Sequence, residues 1–315
     1  MEQPHQPVML AEVLEALAPA DGGLYVDGTL GAGGHAAAIL EASAPGGRLL
    51  GLDRDSAALE LAGRRLAGFG QRLRLRQATF DQVGRELEQW GVDAADGILL
   101  DLGVSSMQLD NPGRGFSFRF DAPLDMRMGG EGPSAARLLA ELDQEQLAQL
   151  FSRLGQEPQA RRIARALVRA RRQEPITTTG RLAQLVEQAI PQAQRRGRRL
   201  HPATRVFMAL RMAVNDELGQ LERFLEQVPR WLRPGGRLVV ISYHSLEDRR
   251  VKRALRTWAH PCTCPPGLPV CACGKRPLFS LPRPELRRPT AREVESNPRA
   301  RSARLRWAQR TQEAA

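Results

Sequence analysis

Asp27-Gly28-Thr29-Leu30-Gly31-Ala32-Gly33-Gly34-His35 follows an apolar run, Gly23 to Asp27, and leads into a helical stretch from His35 to Ala42. Glycines at a strand-to-helix turn let the backbone close on a ligand and aim the amides of the helix N-terminus at it. The next apolar run, Arg48 to Asp53, ends in an acid about 20 residues on, where a carboxylate can accept both hydroxyls of a ribose. Two further runs, Arg72–Gln77 and Gly97–Asp101, alternate with helical stretches at Ser56–Leu66 and Val83–Trp90. Strands too apolar to leave one face wet, alternating with helices, predict an α/β fold with a parallel, doubly wound sheet.

This loop admits more than one cofactor. Gly31 to Ala36 fits G-x-G-x-x-G/A, the dinucleotide pattern, so a nicotinamide cofactor competes. Two features favour S-adenosylmethionine: Asp27 stands before the loop, where methyltransferases commonly hold the methionine amine, and the second half of the chain carries no recognisable small-substrate domain. A tight turn that binds nothing is the third reading, against which the acid at Asp53 weighs.

Working outward, the pattern changes after the fourth strand. Ser134 to Ala193 shows helical periodicity without a convincing strand, punctuated by Pro158, Pro175 and Pro191. A long helix is predicted over Thr204–Val228, then a strand at Arg237–Tyr243 after Pro234-Gly235-Gly236, and a last strand over Ser302–Ala308. The expected organisation is a Rossmann-like catalytic domain made of residues 1–110 and 205–315, with an all-α insert at 111–204 that holds RNA. The 315 residues carry a formal charge of +11, and all the basic residues but Lys252 and Lys275 are arginine. Arginine-rich codon usage explains the choice of arginine but not the positive excess, which suits a polyanionic partner. No apolar run reaches membrane-span length, and Met1 to Pro7 lacks the basic start and apolar stretch of a signal peptide, so a cytoplasmic location is expected.

The fourth strand reads Asp96-Gly97-Ile98-Leu99-Leu100-Asp101 and runs into Leu102-Gly103-Val104-Ser105-Ser106. Its carboxyl end borders the cofactor crevice of a doubly wound sheet, where Asp101 can accept the N–H groups of an exocyclic amine. Base-amino methyltransferases often carry an aromatic residue in this motif. Here Leu-Gly-Val stands instead, so Phe116, Phe118 and Phe120 are the candidates to stack on a base, the alternative being that they are core. His244 is a candidate proton handler beside Glu247 and Asp248, or else a buried, hydrogen-bonded histidine.

The stretch from Asp96 to Met128, with D-G-I-L-L-D-L-G-V-S-S-x-Q-L-D, R-G-F-S-F and P-L-D-M-R-M, resembles the bacterial ribosomal RNA small subunit methyltransferase H family. So do Pro7-Val8-Met9-Leu10, H-P-A-T-R at His201–Arg205, S-Y-H-S-L-E-D-R at Ser242–Arg249 and N-P-R-A-R-S-A from Asn297, nearly the whole chain. The resemblance implies methylation of a cytidine N4 in the decoding centre of small-subunit (16S) ribosomal RNA. It also implies cofactor contacts from Gly33, Gly34, His35, Asp53, Phe80, Asp101 and Gln108. Two positions depart from the family: Met208 replaces a usual Gln, which removes an amide contact, and Tyr243 replaces a usual Phe.

Enzymes that methylate carbon 5 of cytosine generally add a cysteine thiolate to carbon 6 first. The loop after the fourth strand has no thiol, which favours N4. All four cysteines, Cys262, Cys264, Cys271 and Cys273, form two C-x-C pairs near the C-terminus. They could bind one structural zinc or be ordinary thiols; no metal is expected at the reactive edge. In the insert, Arg161, Arg165, Arg169 and Arg172 share one helix face opposite Ile163, Leu167 and Ala170, as RNA contact requires, although a solvated arginine face is also common.

Overall fold

A computed structural model of the protein describes residues 7–195, 201–265 and 272–312. In chain order it runs α1 (Leu10–Leu17), β1 (Leu24–Asp27), α2 (Gly34–Ala42), β2 (Arg48–Asp53), α3 (Ser56–Arg65), β3 (Leu73–Gln77), α4 (Val83–Gln89) and β4 (Ala95–Asp101). Helices α5 (Ser106–Asp110), α6 (Ala135–Glu141), α7 (Gln144–Arg153), α8 (Ala160–Arg171), α9 (Thr179–Ala189), α10 (Gln192–Arg195) and α11 (Thr204–Val214) follow. The chain closes with α12 (Glu217–Trp231), β5 (Leu232–Ser242), α13 (Ser245–Ala259), β6 (Phe279–Ser280), α14 (Ala291–Ser296) and β7 (Arg304–Arg310).

Two compact units result. The first joins residues up to Gly103 with those from Leu218 onward; the second is Val104–Glu217. The sequence reading ends the insert at residue 204, whereas α11 belongs to the helical unit, where Val206, Phe207, Ala209 and Leu210 enter its core. The long helix expected over Thr204–Val228 is two helices. Asp216 takes φ 47°, and the buried side chain of Asn215 accepts from Met128 N (2.9 Å) and donates to Met126 O (2.7 Å). An asparagine amide that bridges a donor and an acceptor outside its own helix competes with continuing that helix.

The first unit carries a seven-stranded sheet of order β3-β2-β1-β4-β5-β7-β6. Strands β1 to β5 pair in parallel, and β7 runs antiparallel against β5 and β6. Period-two alternation sends Val26, Leu50, Leu52, Ile98, Leu100, Leu238 and Val240 to one face, with Leu87, Phe224, Val228 and Val251 from α4, α12 and α13. Tyr25, Leu49, Leu99, Val239 and Ile241 line the other face, with residues of α1, α2 and α3. Burial on both faces is why these strands are apolar throughout, while edge strand β3 alternates leucine with arginine. The two-residue β6 is too short for its periodicity to show in the sequence.

The second unit packs α6, α7, α8, α9 and α11 around one apolar core that includes Phe151, Ile163, Leu167, Leu182, Val186 and Leu210. Its helices start where polar side chains cap them: Asp143 accepts from Gln146 N, and Thr178 from Arg181 N. Phe151 is fully buried, so truncating it to alanine is expected to cost about 3–5 kcal/mol.

Candidate active site

The carboxyl ends of β1, β2, β4 and β5 carry Asp27, Asp53, Asp101 and the Ser242-Tyr243-His244 corner. Strand order reverses between β1 and β4, the place where doubly wound sheets open a crevice. The loop that rises from β1 needs glycine twice for backbone conformation, at Gly31 (φ 51°) and at Gly33 (φ 75°), the N-cap of α2. At Gly34 the reason is a neighbour: an added Cβ would lie 2.5 Å from the Pro7 ring.

The loop and the acids hold one another. Gly31 N donates to Asp53 Oδ2 (2.8 Å), and Asp55 N to Asp53 Oδ1 (2.9 Å). Thr29 N donates to Asp27 Oδ1 (3.1 Å), and the Thr29 hydroxyl oxygen accepts from Asp101 N (2.6 Å). Asp101 is gripped at its side chain too: the Tyr243 hydroxyl donates to Oδ1 at 2.8 Å, while His35 Nδ1 stands 3.9 Å from Oδ2. The far nitrogen of that imidazole, Nε2, lies 2.9 Å from the Val8 carbonyl. A carbonyl only accepts, so Nε2 carries a proton and Nδ1 is the nitrogen turned to Asp101.

Burial dominates the electrostatics. Asp27 is 1% exposed, and desolvation pushes its carboxyl up to about 6; the His35 side chain and the Thr29 amide oppose the rise, and the Asp101 and Asp53 charges add to it. Asp53 and Asp101 are raised for the same first cause, Asp53 against its bonds from Asp55 and Gly31, Asp101 against His35 and Tyr243. The Tyr243 phenol is pushed far up by burial and by the neighbouring Asp101 charge, so it is a donor at any working pH. Three carboxyls at neighbouring strand ends, one buried and two half-buried, all shifted upward, mark a site poised for cationic or hydrogen-bond-donating ligands.

The sequence-predicted residues fare unevenly. Gly33, Gly34, His35, Asp53 and Asp101 come together as described, and Phe80 follows β3, its Cβ 3.0 Å from where a side chain on Gly28 would begin. Gln108 belongs to the helical unit, where it is buried and its Oε1 accepts from Ser105 N (3.1 Å) in a capping box. His244 N-caps α13: Leu246 N donates to its Nδ1 (3.4 Å), and Glu247 Oε2 accepts from the Tyr243 and His244 amides. Asp248, expected near the pocket, instead pairs with Arg306 (2.6 Å) and Arg304 (3.0 Å) of β7.

The aromatic candidates divide. Phe116 is core, 8% exposed, the alternative reading for these rings, whereas Phe118 is half-buried and packs against His201 (4.7 Å) and Phe207 (4.8 Å). Phe120, at 62%, is the exposed large apolar side chain among the described residues. Residues missed by sequence reasoning are Thr29 and Tyr243. Tyr243 had a signal, its phenol in place of the usual Phe, which made sense only once Asp101 lay beside it.

On α8, Ile163 and Leu167 are buried, Ala170 is half-buried, and Arg161, Arg165, Arg169 and Arg172 are exposed. The first three of these arginines, with Arg153 and Arg162, line a groove of about 880 Å³ in which Glu145 and Glu157 are the acids.

A parallel sheet closed by an antiparallel β7, a glycine loop after β1 and acids ending β1, β2 and β4 define the Rossmann-like class of methyltransferases. Within that class the MraW methylase family model matches residues 2–311, and the chain belongs to that family. Ribosomal RNA small subunit methyltransferase H of Symbiobacterium thermophilum is 54% identical over 303 residues, 96% of this chain and 95% of that protein. The protein of the same name from Geobacter sulfurreducens is 54% identical over 309 residues, 97% and 98% of the two chains. Among solved structures, a SAM-dependent O-methyltransferase from Thermotoga maritima aligns over 99% of this chain and 68% of its own, at 12% identity and a TM-score of 0.43. That score is too low to add to the strand order. Family membership removes the nicotinamide alternative.

Proposed function

We propose that this protein transfers a methyl group from S-adenosylmethionine to the exocyclic N4 of a cytidine in the decoding centre of small-subunit (16S) ribosomal RNA. The observation that carries the reading is Asp101: a carboxylate at the end of β4, oriented through Oδ1 by Tyr243 and through its backbone N–H by Thr29, with a pKa raised by burial. The bound cofactor supplies an electrophilic sulfonium methyl. The residues present fit that cofactor. Asp53 uses one lone pair on each oxygen for a backbone amide, and a carboxylate offers about four acceptor positions, so two remain for ribose hydroxyls. Asp27 is a buried counter-charge for the methionine amine, and Gly33, Gly34, His35 and Phe80 of the same unit complete the proposed contacts.

The cytosine N4 lone pair is delocalised into the ring and is a weak nucleophile until the nitrogen pyramidalises. Asp101, accepting an N4–H bond through Oδ2, draws electron density onto that nitrogen as it attacks in line, and its raised pKa suits it to receive the departing proton. His244 is committed through Nδ1 to its helix cap and serves this scheme by shaping the corner after Tyr243. The base must leave any stack to reach the acid. For the helical unit the assigned role is to hold RNA, through Arg161, Arg165, Arg169 and Arg172, with half-buried Phe118 and exposed Phe120 as the rings to stack.

N4 is favoured over carbon 5 because Leu102 to Ser106 carries no thiol and the cysteines all lie between positions 262 and 273. Nucleoside mass spectrometry of ribosomal RNA methylated in vitro should find N4-methylcytidine. Finding 5-methylcytidine, lost on changing one cysteine to serine, overturns the assignment.

A further inference from the structure

Between α13 and β6 the chain crosses residues 260–278 without helix or strand at any described position. The base of this excursion is tied: Leu278 N donates to Trp258 O (2.9 Å), Trp258 packs on Phe279 (4.9 Å between ring centres), and Thr311 N donates to Leu278 O (3.0 Å). Above that base, apolar burial gives out. Pro261 to Pro265 and Ala272 to Pro277 are exposed or half-exposed at every residue. What the loop tip has instead is sulfur. Cys262, Cys264 and Cys273 bring their Sγ atoms within 4.8 Å of one another.

We propose that Cys262, Cys264 and Cys273 bind one structural zinc ion. Tetrahedral Zn–S bonds of about 2.3 Å set sulfur atoms about 3.8 Å apart, so the observed cluster needs movement of only about 1 Å to close on the ion. Two backbone features shape the cluster. Ala272 N donates to Cys264 Sγ at 3.3 Å, and Gly274, directly after Cys273, takes φ 64°, turning the chain sharply beside that cysteine. The soft donor set selects zinc, copper(I) or an iron–sulfur cluster. Zinc, with no geometric preference from its d electrons, best tolerates the narrow C-x-C bite. Three thiolates leave one corner of the tetrahedron, and the sequence holds a fourth thiol, Cys271, outside the described residues. Each thiol releases its proton to solvent as its Zn–S bond forms, so no oxidant or reductant is required, and binding weakens as pH falls. The ion would cross-link described residues that are exposed or half-exposed, independently of methyl transfer.

The test uses the full chain, loaded with zinc, dialysed, and analysed by mass spectrometry for metals. About one zinc per chain is expected, falling at least about tenfold in Cys264→Ser and in Cys273→Ser. Less than about a tenth of an equivalent in the wild-type chain, a full equivalent retained by both variants, or iron in place of zinc overturns the proposal. Cobalt(II) added to the wild-type chain keeps the test decisive if the variants misfold. Tetrahedral thiolate bands in the visible spectrum, displaced by zinc, support the site, and a spectrum of octahedral aqueous cobalt refutes it.

Discussion

In the sheet unit, Asp27 is buried and Asp53 and Asp101 are half-buried at strand ends, all three raised by desolvation; in the helical unit, Arg161, Arg165, Arg169 and Arg172 keep their charges in water on one side of α8. The same residue class is handled oppositely. A desolvated carboxyl destabilises the fold unless a donor or cation meets it, so three together are tolerable where a ligand completes them. Solvated arginines cost the fold almost nothing, act over a Debye length, and are weakened by salt. Chemistry therefore belongs to the acids, and capture of a polyanion to the arginines.

The sharpest break of this comparison is Asp101→Ala. Its single-turnover methylation rate should fall by about a hundredfold or more, with RNA affinity little changed, because the acceptor acts on the reacting nitrogen. A rate within a few-fold of wild type removes Asp101 from the chemistry. Next in size, Asp53→Ala should weaken S-adenosylmethionine binding by about 1.5–3 kcal/mol, roughly 10- to 150-fold, read by calorimetry. Unchanged affinity in a folded variant takes Asp53 out of the cofactor site.

Asp27 gives the comparison a pH axis. Its folded pKa, about 6, stands above the ordinary value of 3.8, so its contribution to stability is fully present below about 3.8 and is lost as pH rises through about 6. Binding a cationic amine has the opposite demand, since it needs the carboxylate. Affinity for S-adenosylmethionine should therefore rise about tenfold between pH 5 and pH 7, and Asp27→Asn should flatten that rise. Equal affinity at the two pH values in the wild-type protein would separate Asp27 from the amine.

The smallest effect belongs to the solvated charges. Arg165→Ala combined with Arg169→Ala should leave cofactor affinity intact and lower the salt slope of RNA binding by about one unit per lost contact. An unaltered slope makes this face ordinary surface.

Asp53 and Asp101 were legible from the chain because each ends an apolar run and follows a recognisable turn; local spacing alone put them at strand ends. The same holds for the buried face of α8, where helical periodicity separates Ile163 and Leu167 from the arginines. The choice between stacking and core for Phe116, Phe118 and Phe120 stayed open in the sequence because a short run of alternating phenylalanines has no period long enough to reveal which rings are covered. Tertiary packing buries Phe116, half-buries Phe118 against His201 and Phe207, more than 80 residues away, and leaves Phe120 exposed.

What the sequence determined by itself was the alternation of β1 to β4 with their helices, the glycine loop and the identity of the acids, since each rests on interactions between residues close along the chain. Only tertiary structure decided that Asn215 ends α11 by bonding Met126 and Met128, that Val8 orients His35, and that Tyr243 holds Asp101. Each of those bonds joins residues 27 to 142 positions apart. Hydrogen bonding is short-ranged and directional, so such partners exist only after the sheet and the helices have packed.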